Sequence, residues 1–224
     1  MRKLFIIAAF FCFVSAVNSQ SIEFGGGLNR NKFYSWGHDD GGHFNSEYHS
    51  GIGFSFFLSM EDTVLKDIFV KFVLVLDDYS GTLSTTSGGL AGSSTTDADV
   101  SKTTIGLGFY PFNYKFLKSG FLNLGVSYNL LLNQKMIGNN SWWYLGTSSS
   151  GNNTLDNNSD KYKNKSTISA VGRIAYKIAV TNSWYIVPQY LINYGFGKEF
   201  KNLEAETKSF RQTFAIGISR SLSK

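Results

Sequence analysis

The sequence predicts an all-β chain of eight antiparallel strands in up-and-down order, closed into one barrel, and three observations carry that prediction. Apolar residues alternate with small or polar ones in eight separate segments, which marks extended strands with two chemically different faces. The connections between segments alternate strictly between short and long, so a meander places every long loop at one end. Past the N-terminal stretch, no segment has the period of an amphipathic helix.

The segments follow in order. SIEFGGGLN sets Ile22, Phe24 and Leu28 against Glu23, Gly25, Gly27 and Asn29, and SGIGFSFFLS sets Ile52, Phe54, Phe56 and Leu58 against Gly51, Gly53, Ser55 and Ser59. IFVKFVLVLDDY carries an unbroken apolar face from Ile68 to Leu76, opposite one that holds Lys71 and Asp77. SKTTIGLGFYPF opposes Ile105, Leu107 and Phe109 to Lys102, Thr104, Gly106 and Gly108. In FLNLGVSYNLLLNQ, leucines, Val126 and Tyr128 take the even positions, while Asn123, Gly125, Ser127, Asn129 and Asn133 take odd ones. The last three segments oppose Ile168, Ile174, Tyr176 and Ile178 to Ser169, Arg173 and Lys177; Trp184, Ile186, Tyr190, Ile192 and Tyr194 to Gln189 and Asn193; and Phe210, Phe214, Ile216 and Ile218 to Arg211, Thr213, Gly217 and Ser219. The short connections are EDTVLKD, FNYKFLKSG and TNS, and the largest long one runs from about Met136 to Lys165. The GGG at Gly25 to Gly27 fits barrel curvature or close packing, since no helix follows to make a phosphate loop.

Residues 1–19 have the form of a secretory signal peptide, with Arg2 and Lys3 ahead of an apolar run too short to span a bilayer, then small residues. Cleavage is expected before Gln20, leaving one domain over 20–224. Cys12, the single cysteine, falls in the removed segment, so disulfides and thiolate sites are excluded from the mature chain. Without Arg2 and Lys3, 19 basic residues face 16 acidic ones, too even and dispersed a balance for a nucleic-acid surface.

The solvent of each face decides between two barrels. A soluble carrier of the lipocalin kind turns its apolar face inward, and an outer-membrane barrel turns it to lipid. Charged residues make up 17% of the chain, against about 25% in a typical soluble domain. The polar face is mostly Gly, Ser, Thr and Asn, which suits a crowded interior better than a wetted surface. Its few charges, Glu23, Lys71, Asp77, Lys102, Arg173, Lys177 and Arg211, include both signs and are expected to form an internal network. Aromatics gather near strand ends, at Phe33, Tyr34, Trp36, Tyr79, Tyr110, Phe112, Trp184 and Tyr185, as interfacial girdles require. The membrane barrel is therefore the expectation, located in the outer membrane of a Gram-negative bacterium, contacting its lipid and expected to be a monomer.

The whole mature chain resembles eight-stranded outer-membrane barrels of the OmpA/OmpX type, and more closely the PorT-like outer-membrane β-barrel domain family of Bacteroidota. The resemblance rests on GFLNLGVSYNLLL, the YPF at Tyr110 to Phe112, the IVPQY at Ile186 to Tyr190 and the closing TFAIGIS. The chain departs from many such barrels in ending Ser221-Leu222-Ser223-Lys224, where they carry a terminal aromatic.

No catalytic residue, cofactor or metal is expected. His38, His43 and His49, with Asp39, Asp40, Ser46 and Glu47, are the one cluster that could bind a metal or support acyl transfer, yet no spacing matches a catalytic motif. Asp77 to Ser80 could complete that cluster if the fold brought them together, which would make a lipid A-modifying enzyme the alternative. The aromatic run Trp142, Trp143 and Tyr144 suits stacking on a sugar or a protein partner, or extends the girdle. An eight-stranded interior is filled by side chains, so passage of sizeable solutes is not expected. Function is expected in the long loops, through a surface ligand or protein.

Overall fold

In the computed structural model, the residues described are 20–35, 43–65, 68–89, 92–145, 149–155, 162–201 and 207–222. The expected signal peptide, with Cys12, lies outside them, as do Trp36, His38, Asp39 and Asp40. The chain is all-β and antiparallel, with strands β1 (Ser21–Ser35), β2 (His43–Leu65), β3 (Ile68–Gly89), β4 (Gly92–Phe116), β5 (Gly120–Tyr144), β6 (Ser149–Leu155), β7 (Ser166–Tyr176), β8 (Ile178–Ala179), β9 (Trp184–Gly195) and β10 (Thr207–Ser221). Eight of these pair in a ring. Each follows its predecessor from β1 through β5 to β7, β9 and β10, and β10 then pairs with β1 from Ser21↔Ser221 to Ser35↔Thr207.

β6 and β8 stand outside that ring. β6 folds back on the end of β5, and β8 continues β7 after a short break. The break has a local cause at Pro188, which has no N–H to give. β7 pairs with β9 as far as Ala175↔Gln189 and β8 resumes in the same register at Ile178↔Ile186, while on the other edge the Lys177 amide continues the β5 ladder to the Ser119 carbonyl.

Three expectations change. The connections after β3 and β5 are strands for most of their length, because β3 and β4 pair to Gly89↔Gly92 and β5 pairs with β4 to Tyr144. Serine and threonine predominate in this stretch of β3 and β4, and β-branched threonine favours extended pairing although it is polar. Asn133 is the second change. It pairs with Thr103, but Thr104 pairs with Leu131, so a bulge at Leu132 shifts the alternation by one and leaves Asn133 exposed with Gln134 buried.

The third concerns the aromatics. Phe33, Tyr79 and Tyr110 are buried inside the ring, whereas Tyr34, next to Phe33, lies on the outer face, and Phe112 is exposed because a register shift between Phe109 and Phe112 turns it outward. Adjacent residues of a strand take opposite faces, so Phe33 and Tyr34 cannot join one girdle, and Tyr110 and Phe112, which share a parity, part only at the bulge.

Candidate functional site: a charged interior, an apolar belt and an extended wall

β3 alone shows how the interior is stacked, because Lys71, Val73, Val75, Asp77, Tyr79, Gly81 and Leu83 succeed one another on its inner face. At the Lys71 level, Glu23 from β1 takes Lys71 Nζ at 2.5 Å and Arg173 Nη2 at 2.8 Å. Arg173 also donates to Asn123 Oδ1 at 2.6 Å and to Gln189, whose amide donates to Glu23 Oε1 at 3.0 Å. Five strands meet on this one buried carboxylate network, and each charge has the partners that burial demands.

Above it lies an apolar layer of Phe57, Val73, Tyr110, Val171 and Ala215. Beside that layer is a cavity of about 40 Å³, which Ser55, Asp77, Asn193 and Arg211 also line, with room for a few waters. Asp77 accepts from Ser55 and from Arg211 Nη1 at 3.1 Å, and the Arg211 guanidinium lies 4.4 Å over the Tyr79 ring. Nearer the short turns, Lys177 reaches Glu61 at 3.4 Å.

The uppermost charged level brings in Glu199, which the sequence pattern does not reveal because it lies between strands, where no periodicity marks a face. Its backbone is held by Thr207, and its carboxylate takes Lys102 Nζ at 2.9 Å, Ser209 Oγ at 2.5 Å and Tyr79 Oη at 3.2 Å. Burial pushes this carboxyl up, but the Lys102 and Arg211 charges and the hydrogen bonds from Ser209 and Lys102 outweigh it and hold the group below the ordinary range. Phe200 follows it into the mouth, 5.4 Å from the Phe33 ring and 4.1 Å under Lys102. With Leu83, Ala98, Val100, Met136 and Leu155, Phe33 and Phe200 make an apolar cap over the charged levels.

The outer face reads the other way. Phe24, Leu28, Ile52, Phe54, Leu74, Leu76, Phe112, Leu124, Val126, Ile168, Ile174, Ile186, Ile192, Phe214 and Ile216 are all exposed, and every strand of the ring contributes to this belt. On β2 the belt runs from Ile52, 71% exposed, to Met60. That is about 27 Å along the strand, or about 20 Å of height at a tilt near 40°.

At Leu76, Ile105 and Leu132 the belt stops and the two faces exchange character. Outward positions become Asp78, Ser80, Thr82 and Ser84 on β3, and Thr103, Ser101, Asp99 and Asp97 on β4. Thr82 donates to Asp99 at 2.9 Å and Ser84 to Asp97, while Leu83, Ala98 and Val100 turn inside. β2 to β6 continue as a wall beyond the belt, with β3 running 13 residues past Leu76, about 40 Å of strand. Trp142, Trp143 and Tyr144 lie at the far end of this wall, ten or more residues beyond Leu132, so they are remote from the belt edge. Trp143 and Tyr144 are exposed, and Trp184 lies outward at the opposite rim.

No family model matches the chain, and no curated protein matches it. Among solved structures it is similar to Neisserial surface protein A, at 16% identity and a TM-score of 0.45 over 91% of this chain and 98% of that one. It is also similar to OprG from Pseudomonas aeruginosa, at 12%, 0.37, and 91% and 97%, and to Ail of Yersinia pestis, at 12%, 0.34, and 90% and 99%.

The acyl-transfer cluster does not assemble from the residues described. Asp77 is turned inward to Arg211, whereas Asp78 is on the outer face, bonded by Thr103, and Ser80 Oγ donates to the Ile52 carbonyl. His43 pairs with Gly88 near the top of the wall, and His49 is exposed on β2. No group of three or more His, Cys, Asp or Glu among the described residues could hold a metal ion.

Proposed function

We propose that the protein is an integral outer-membrane β-barrel of the PorT-like or OmpA/OmpX kind, held in lipid by its belt, and that it works without catalysis through the wall and long connections it presents outside the membrane. One observation carries this reading: the exchange of polarity along single strands. Below Leu76 and Ile105 the outer face is apolar over charged pairs, and above them it is hydroxyl- and carboxylate-bearing over an apolar cap. A strand in one solvent has no reason to invert, and a strand crossing from lipid to water must. A carrier of the lipocalin kind is disfavoured, since its ligand would meet the Glu23 and Asp77 ion pairs.

The filled interior favours contact over passage. The wall, with its exposed Trp143 and Tyr144, is the surface for a ligand or protein partner, or for a structural role in the envelope. Fractionation followed by gels of unheated and heated samples tests the reading. Extraction only by detergent and a heat-dependent change in mobility are expected, and a stable detergent-free monomer overturns it.

A further inference from the structure

We propose that the outward face of β1 and β10, just above the belt, is a binding site for the phosphate groups of an anionic lipid whose chains lie along the belt below. This rests on the membrane reading above. The belt ends here at Leu28 on β1, opposite Phe214 and beside Phe54, and on β2 it runs one outward residue further, to Ile52, the partner of Arg30. The next outward residues of β1 are Arg30 and Lys32, both exposed, and β10 adds Lys208 opposite Tyr34.

Arg30 and Lys32 lie two residues apart, about 7 Å, and Lys208 is diagonal to Lys32 across the ladder at about 7 to 8 Å. Arg30 and Lys32 at that spacing can close on one phosphate, and Lys208 adds its positive charge at the side of the pair. Arg30 is oriented by Ser50, whose Oγ takes Nε at 3.0 Å and Nη2 at 2.9 Å, which leaves guanidinium N–H groups for a ligand. Among the described residues neither Arg30 nor Lys32 is paired with a carboxylate. Of the nearest acids on adjacent walls, Asp78 is bonded by Thr103 and Glu47 lies further up β2.

A second observation fixes the depth of the patch. Tyr34 and Tyr194 lie 5.6 Å apart, with Phe196 5.7 Å beyond, and the Tyr34 hydroxyl bonds the Gly195 carbonyl. This cluster has the apolar body and polar edge of an interfacial girdle. The cations therefore stand at headgroup height, over chains and beside aromatics. A soluble anion needs only the charge, whereas an amphiphile uses the charge and the belt together.

Native mass spectrometry of the purified protein in dodecyl maltoside tests this, with dioleoyl phosphatidic acid as the probe and dioleoyl phosphatidylcholine as the comparison. The wild type is expected to hold phosphatidic acid at least about tenfold more tightly, and R30Q/K32Q/K208Q to lose most of that preference. R220Q, which alters the arginine stacked on Trp184 at the opposite rim, is expected to keep it. An unchanged preference in the triple variant, or displacement of the lipid by excess inorganic phosphate alone, overturns the site. If the triple variant fails to assemble, salt decides: a wild-type preference that survives high ionic strength also overturns it. A wild type without heat-dependent mobility would instead sink the membrane reading itself.

Discussion

Glu23 on β1 and Arg173 on β7 lie 2.8 Å apart although 150 residues separate them in sequence, and Lys71 closes on the same carboxylate from β3. Two cations share one anion, so the three charges are not interchangeable. Glu23→Gln leaves Lys71 and Arg173 buried without their carboxylate and is expected to cost about 3 to 5 kcal/mol. Lys71→Met leaves a neutral Glu23–Arg173 pair and should cost less by at least about 1 kcal/mol. Urea titration of the heat-dependent gel shift in micelles ranks the two, and equal losses would contradict the shared-anion arrangement.

The faces of β5 give a test that separates depth from direction. Leu124 is 48% exposed in the belt, and an arginine there is expected to block assembly, at about 2 to 4 kcal/mol near the bilayer midplane. Asn133→Arg is expected to be within about 0.5 kcal/mol of wild type, because the bulge turns residue 133 outward above the belt. Without the bulge, residue 133 would point into the barrel and the arginine would be costly. Assembly yield of the two variants therefore checks both the belt and the bulge.

Alternation in the sequence was enough to find the eight strands of the ring and the face of each, because a period of two survives any barrel geometry. It could not find the bulge at Leu132, since an inserted residue in an apolar run of three leucines leaves every apolar position still apolar. The end of the belt was equally hidden. Leu83 and Val100 are apolar and Leu76 and Ile105 are apolar, yet the first pair faces in and the second out, and only parity counted along the paired strand tells them apart. Glu23, Asp77 and the interior cations could be read as an inner set from their parity. Their partners Gln189 and Asn123 are amides, whose alignment with Arg173 depends on register between strands far apart in sequence. Glu199 belongs to no strand, so no pattern pointed to it.

Close approach at the β1–β10 seam makes a third prediction. A Cβ added to Gly27 would collide with the Phe214 carbonyl oxygen and the Ala215 backbone, which belong to the strand that completes the ring. Gly27→Ala is expected to destabilise by about 1 to 3 kcal/mol through overpacking against backbone that cannot rotate away. At Gly172 the nearest atom to a new Cβ is Leu124 Cδ2 at 3.6 Å, and Gly172→Ala should be nearly neutral, within about 0.5 kcal/mol. Midpoints of thermal gel-shift curves compare them, and matching losses would show that the backbone at Gly27 yields to a new Cβ.

Glu199 and Phe200 give the last prediction, which concerns the mouth of the barrel. The two residues enter it together, one held by Lys102, Ser209 and Tyr79 and the other by Phe33 and the Lys102 ammonium, so the connection is anchored by charge and by packing. Glu199→Gln leaves Lys102 buried without its counter-ion, and Phe200→Ala empties part of the cap, so either should release residues 196–201 without dissolving the strands. Because the Glu199 carboxyl is held below its ordinary range in the folded chain, its contribution is complete above the unfolded value near about 4.3 and is lost as pH falls through the lower folded value. Amide hydrogen exchange followed over 196–201 should therefore show protection that holds at about pH 5 and is lost only as pH falls below the ordinary carboxylate range in the wild type. In Glu199→Gln the protection should be low at every pH. Wild-type protection that failed between about pH 6 and 5, where most carboxylates of ordinary value stay ionised, would show that another group holds the mouth closed.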